Sequence, residues 1–400
     1  MATDWYSDVS FMDRLGYVTT ITGAYKSAHP NVDSVEASRA AKQLEQEAHR
    51  AATSASEYHL LCNTALETLR GTGNADIVEN LEAEDTVVAS NAPTKAFGRY
   101  HHATHYKDSL HSDIFRAVVP SDVPPDFTGK PGTAVALKVT YMNAMAPPHN
   151  SEREIRILKK AVFPQIIPLW ESFSEAAGHL VLVFPFMPYD LDALLQQQYL
   201  PEARRRSILK DLFSALQYLH SLGIIHRDVK PANILMRTPS GHAYLGDFGV
   251  AWCPGDKDSE PADTKITDVG TSSYRAPELL FGGVSYGCSL DLWAAGCVAA
   301  QVVTSSTEPL FEPGEPGSDL QLIHSIFVKL GTPNYEVWPE LQSFPDWSKM
   351  LWKEYPPKPW SELLPETSDA GRDLVSGLVR YQSTERLEAG KVLEHAYLAG

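Results

Sequence analysis

The sequence predicts an α+β protein in two lobes, a small β-rich one and a larger helical one, behind an amino-terminal extension that is helical or partly disordered. Three observations predict it. Between about residue 98 and about residue 187, short β-like runs such as "DIFRAVV", "TAVALKVT" and "HLVLVFPF" are separated by turn-forming residues. From about residue 188 to residue 400, apolar residues recur at helical spacing, as in "EARRRSILKDLFSALQYLHSLG". Residues 1–97 are rich in Ala, Glu and Ser, with helical signals and few strand signals. At 400 residues, 43% of them hydrophobic, the chain can bury a large core.

In chain order, the extension predicts a helix from about Ser34 to Arg50. A second follows, with Ser54 and Glu57 spaced as a capping box and Tyr58, Leu61, Cys62, Ala65 and Leu69 on one face; Gly71 and Gly73 stop it. "RGTGNAD" reads as the turn at that helix end and not as a phosphate loop. In the β-rich part, "PSDVPPDFTGKPG" is a polar, proline-rich loop between two strands, and "SEREIRILKK" is an amphipathic helix. The longest apolar run, "LWAAGCVAAQVV" after Asp291, is too short to span a bilayer and reads as a buried core helix.

Charge and cysteine usage exclude several function classes. The 34 Lys and Arg against 50 Asp and Glu leave a net charge of −16, which repels a phosphate backbone and argues against nucleic-acid binding. Cys62, Cys253, Cys288 and Cys297 form no C-x-x-C pair and read as reduced thiols. The amino terminus has no basic stretch followed by a long apolar run, so a cytoplasmic or nuclear protein without membrane attachment is expected.

The chemistry is concentrated in "HRDVKPANIL", His226 to Leu235, and in "DFG", which starts at Asp247, fourteen residues after Asn233. Phosphoryl transfer requires few covalent participants: a carboxylate near the attacking hydroxyl and oxygen ligands for magnesium. Asp228 suits the first task, Asn233 and Asp247 the second. In these stretches the sequence resembles the eukaryotic protein kinases, whose catalytic-loop and magnesium-loop signatures it matches completely, and the resemblance covers about residues 98–400. It implies the bilobal kinase fold, with ATP and Mg²⁺ as cofactors and a protein serine or threonine as acceptor.

The resemblance then assigns further residues. Lys138 in "AVALKV" matches the strand lysine that pairs with the α- and β-phosphates, and Glu154, sixteen residues later, matches its helical partner. Lys230 marks the serine/threonine class and would neutralise charge on the transferring group. Thr271 in "GTSSYRAPE" matches the threonine that bonds the catalytic Asp and Lys. Ile114 matches the roof over adenine, Ala136 the ceiling beside Lys138, Phe184 the gatekeeper, Met187 the hinge, Asp190 the ribose ligand and Leu235 the floor. Glu278 with Arg386 and Asp291 match scaffold residues of the large lobe.

"YRAPELL", "LGTPNYEVWPEL" and the insertion between Pro309 and Pro365 resemble the cyclin-dependent and MAP kinase (CMGC) branch. The departures are instructive. Glu152 in "PHNSERE" stands where an apolar residue would enter a cyclin, so a standard cyclin interface is not expected. Arg153 and Arg227 match two members of the phosphothreonine-binding triad, but Trp252 replaces the third, and Thr267 lies one position away from the usual phosphosite. Together these are similar to fungal single-chain CDK-activating kinases, which implies another kinase's activation-loop threonine as substrate.

The glycine-rich phosphate loop is replaced by "KDSLHS": Lys107, Ser109 and Ser112 fall on its three glycine positions, and Leu110 and His111 on the inhibitory Thr-Tyr pair. Two other readings stay open on this evidence. One is a pseudokinase scaffold with a degenerate loop; the other is a catalytic subunit that depends on a cyclin.

Overall fold

The computed structural model describes residues 94–108, 112–124, 127–141, 145–175, 178–197, 200–314 and 318–399, with scattered positions between residues 21 and 61. The chain divides into two compact units, Met1–Ala89 and Ser90–Gly400. In the first, residues 39–44 and 48–49 are helical, and Tyr58, fully buried, meets the His49 ring edge-on at 5.6 Å. Tyr58 and Leu61, both in the second expected helix, are helical; the other positions of that helix from residue 54 on, residues 34–38, 45–47 and 50 of the first, "RGTGNAD" and Cys62 lie outside the described residues.

The second unit opens with a six-stranded antiparallel sheet: β1 Thr94–Phe97, β2 Tyr100–Asp108, β3 Ser112–Val118, β4 Ala134–Tyr141, β5 Glu171–Glu175 and β6 His179–Pro185, in the order β1-β2-β3-β4-β6-β5. It starts before residue 98, because Thr94–Phe97 pairs with β2 across a turn at Gly98, held at φ 53°. The two-residue period of a strand sorts its side chains. Val135, Leu137 and Val139 point into a core with Phe97, Tyr100, Phe115, Val181 and Val183. Ala136 and Lys138 therefore face the other way.

Helix α1, Ser151–Lys160, brings Glu154 to Lys138 on that second face. Asn150 caps it, its side chain accepting the Arg153 N–H at 2.8 Å, and the apolar Ile157 and Leu158 are buried. Beyond β6 the chain is mainly helical: α2 Leu191–Gln197, α3 Glu202–Ser221, α4 Ser289–Thr304, α5 Asp319–Leu330 and α6 Asp369–Leu378. A small antiparallel sheet is formed by β7 Tyr189–Asp190, β8 Ile234–Met236 and β9 Ala243–Leu245, and shorter helices lie among these elements. α4 is buried without interruption from Leu290 to Val303, which explains its apolar run.

Three buried charges brace this part, an ion pair and a further carboxylate. Arg386 grips Glu278 through two hydrogen bonds of 2.6 and 2.7 Å. Asp291, 1% exposed, accepts the backbone N–H of His226 at 2.8 Å and of Arg227 at 2.9 Å. Burial alone would raise the Asp291 carboxyl, but the hydrogen bond from His220 at 3.0 Å and the amides hold it below the usual carboxylate value. The loop that carries Asp228 is thus hung on a charged helix residue.

Candidate active site

A cleft of about 330 Å³ lies under the sheet, lined by Ile114 and Ala136 from β3 and β4, Phe184 and Met187 at the end of β6, Leu235 from β8, and Lys138, Asn233 and Asp247 at its polar end. Apolar surfaces above and below with convergent polar groups at one end suit a flat base attached to an anionic tail. Strand register brings the roof together: Ala136 pairs with Phe184, and Lys138 with Ile114 on one side and Leu182 on the other.

At the polar end, Lys138 Nζ donates to Glu154 Oε1 and Oε2 at 2.8 and 2.9 Å and to Asp247 Oδ1 at 2.8 Å. Burial disfavours the ammonium, but the carboxylates of Asp247 and Glu154 outweigh it and raise the Lys138 pKa. Lys138 in turn holds the Asp247 carboxyl far below its ordinary value. Glu154, 1% exposed, is pushed up by burial, with Lys138 opposing that push. Asp247 is held at φ 60°, a conformation that Asp tolerates better than most residues and that turns its carboxylate toward Lys138.

A second cluster forms around Asp228. Thr271 Oγ1 donates to Asp228 Oδ1 at 2.8 Å, Lys230 Nζ donates to Thr271 Oγ1 at 2.7 Å, and Lys230 Nζ also lies 2.8 Å from Asp228 Oδ2. Asn233 Nδ2 donates to the Asp228 carbonyl at 2.8 Å and to its Oδ2 at 3.1 Å. Gly270 makes room for this packing: at φ 82°, a Cβ there would stand 3.2 Å from the Arg227 carbonyl oxygen.

Other expected residues have more than one partner. Asp190 Oδ1 accepts the Ala193 N–H at 2.8 Å and so caps α2, while Oδ2 faces Lys107 Nζ at 4.0 Å. Ser112 is 4% exposed and paired with Thr140, a strand residue and not part of an open loop. β2 and β3 stay paired as far as Asp108 and Asp113. Ser109, Leu110 and His111 lie outside the described residues. Glu152 is exposed on α1.

Sequence reasoning missed Glu260, Asp256 and Asp258, three carboxylates of the segment between "DFG" and "APE" that bind arginines. Arg156 pairs with Asp256 at 2.7 and 2.9 Å and with Asp258 at 2.5 Å, and Arg227 pairs with Glu260 at 3.0 Å. The only available signal was the acidic run "DKDSEPAD" itself.

A model of the protein kinase domain matches residues 127–398. The chain belongs to the protein kinase family. The matched segment begins after the glycine-free hairpin of β2 and β3. Among relatives, the chain is 39% identical over 254 residues to the serine/threonine-protein kinase csk1 of Schizosaccharomyces pombe, covering 62% of this chain and 80% of that one. It is 35% identical over 272 residues to cyclin-dependent kinase 20 of Homo sapiens, covering 66% and 75%. Among solved structures, the CAK complex of Chaetomium thermophilum bound to ATP-γ-S matches with a TM-score of 0.63 at 27% identity, over 74% of this chain and 90% of that one. This is a serine/threonine kinase of the cyclin-dependent-kinase-like branch. Among the described residues of the kinase, no helix is long and apolar enough to cross a membrane.

Proposed function

We propose that this kinase transfers the γ-phosphoryl group of ATP to a serine or threonine hydroxyl on another kinase, in the first place a cyclin-dependent kinase. The catalytic unit is Ser90–Gly400. The observation that carries the reading is the complete set of charged groups at the polar end of the cleft: Lys138 bonded to both Glu154 and Asp247, next to Asp228 bonded to Thr271, Lys230 and Asn233.

The residues fit the reactants. Ile114, Ala136, Leu235, Phe184 and Met187 give the base an apolar slot, and Asp190, which lines the same cleft, would bind the ribose. Lys138 is a fixed cation for the α- and β-phosphates. Asp247 and Asn233 supply the hard oxygens that magnesium prefers; Asn233 Nδ2 is spent on Asp228, which leaves its Oδ1 for the ion. Magnesium, when bound, neutralises charge on the phosphates. Asp228 accepts the proton of the attacking hydroxyl, Thr271 fixes the rotamer of its carboxylate, and Lys230 offsets negative charge beside it.

The substrate reading is supported by the csk1 and CAK likenesses. The test is transfer of radiolabelled phosphate from ATP by the purified chain, with magnesium, onto an inactive cyclin-dependent kinase. Label on the activation-loop threonine, lost with Asp228→Asn, is the expected outcome. Label on generic substrates only would defeat the substrate assignment, and equal rates for both proteins would defeat the enzyme reading.

A further inference from the structure

Arg227 and Arg153 belong to different parts of the site. Arg227 immediately precedes Asp228 and is held at φ 68°; Arg153 sits on α1, next to Glu154. Both are 2% exposed, so two guanidiniums share a poorly solvated space. Such a pair is costly unless an anion lies between them. The anion in this structure is Glu260: Oε1 accepts from Arg227 Nη1 at 3.0 Å, and Oε2 lies 4.0 Å from Arg153 Nη1.

Glu260 is itself fixed at its backbone. The indole Nε1 of Trp252 donates to the Glu260 carbonyl oxygen at 2.8 Å. Arg227 also donates to Tyr286 Oη at 3.1 Å, whose hydroxyl donates to the Ile266 carbonyl at 2.6 Å. Arg153 Nη1 donates to the Asp258 carbonyl at 2.9 Å. Thr267 contributes its carbonyl to Arg275 at 3.1 Å and bonds neither guanidinium. Trp252 stands where the third arginine would be, and its ring lies 4.6 Å from the ammonium of Lys265, a residue 5% exposed that is a further cation beside Arg227 and Glu260.

We propose that Glu260 is a positioning residue for phosphoryl transfer: its carboxylate holds Arg227 and Arg153 together and ties the Asp228 loop and α1 to the activation segment, which needs no added phosphate to keep this arrangement. The proposal rests on the kinase reading above. Glu260 touches no reactant; it acts through Arg227 on the placement of Asp228 and through Arg153 on α1 and Glu154.

The test compares the full chain, produced in bacteria and treated with phosphatase, with Glu260→Gln, Glu260→Asp and Asp228→Asn. Wild type is expected to keep its kcat when mass spectrometry finds residues 256–275 unphosphorylated. Glu260→Gln is expected to lower kcat about tenfold to a hundredfold while KM for ATP stays within about twofold, and Glu260→Asp to recover part of the loss. Trypsin should cut after the exposed Lys257 faster in Glu260→Gln than in wild type. Should that variant melt below the assay temperature, Glu260→Gln combined with Arg153→Gln replaces it, with the same loss expected. Wild-type kcat in the uncharged variant, or a wild type silenced by phosphatase, overturns the proposal. A wild type as inactive as Asp228→Asn before phosphatase treatment as well as after it overturns the kinase reading instead, and unchanged cleavage after Lys257 then overturns the Glu260 clamp as well.

Discussion

The Thr271 hydroxyl donates to Asp228 Oδ1 at 2.8 Å and accepts from Lys230 Nζ at 2.7 Å, so a single side chain of the activation segment fixes two groups of the catalytic loop. A carboxylate that must take a proton from an approaching hydroxyl works only in a narrow orientation. Thr271→Val, which keeps the shape and removes both bonds, is expected to lower kcat about tenfold to a hundredfold with little change in KM for ATP, and Thr271→Ser to stay near wild type. Steady-state kinetics of the two variants checks this. Equal rates for Val and Ser would detach the hydroxyl from catalysis.

Lys138 makes a different kind of prediction because its partner Glu154 is 1% exposed. Removing one member of a buried pair leaves the other charge without compensation. Lys138→Met is expected to abolish measurable ATP turnover and to lower the melting temperature, and Glu154→Gln to raise KM for ATP while costing less stability, since Asp247 still faces the ammonium at 2.8 Å. Calorimetry with ATP titrations reads both. A Glu154→Gln enzyme with unaltered KM would show that Asp247 alone orients Lys138.

Cys288 provides a pH-dependent readout away from the site. Burial, with Asp291 nearby adding to it, pushes its thiol up to about 12. Below the unfolded value of about 8.5 the thiol is protonated in both states and its burial costs nothing extra. As pH rises from there toward the folded value, only the unfolded chain releases the proton, so stability falls. Urea midpoints measured from pH 8 to pH 10.5 are expected to drop in wild type and to drop less in Cys288→Ser. Parallel curves would refute a role for this thiol.

Much of the site was legible because its residues sit in short stretches with fixed spacing. "HRDVKPANIL" and "DFG" name Asp228, Lys230, Asn233 and Asp247 at once, and the strand alternation of "TAVALKVT" puts Ala136 and Lys138 on one face. What could not be read depends on distant pairing. Glu260 is one carboxylate in a run with Asp256, Asp258 and Asp263, and nothing local distinguishes the one that reaches Arg227 across 33 positions. Strand β1 is four residues long and pairs only through its neighbour, so its alternation is too short to stand out. Ser112 is a further case: its match to a glycine position says nothing of its being a buried strand residue paired with Thr140.

That last point changes what the glycine-free hairpin should do. With β2 and β3 paired to Asp108 and Asp113, Ser112 fills a strand position, and Ser112→Gly is expected to cost roughly 0.5–1 kcal/mol of stability without improving ATP binding. Among the described residues of this hairpin that line the cleft, Lys107 is the cation, its ammonium 4.0 Å from Asp190 Oδ2 and its side chain 62% exposed. A cation there meets the anionic nucleotide in place of backbone amides, a contact that salt screens. Lys107→Met is therefore expected to raise KM for ATP a few-fold at low ionic strength, on the order of 1 kcal/mol or less, with kcat kept and the difference shrinking in 0.5 M salt. An unchanged KM at low salt would leave Lys138 and the metal ligands as the groups that hold the phosphates, and the hairpin as a cover only.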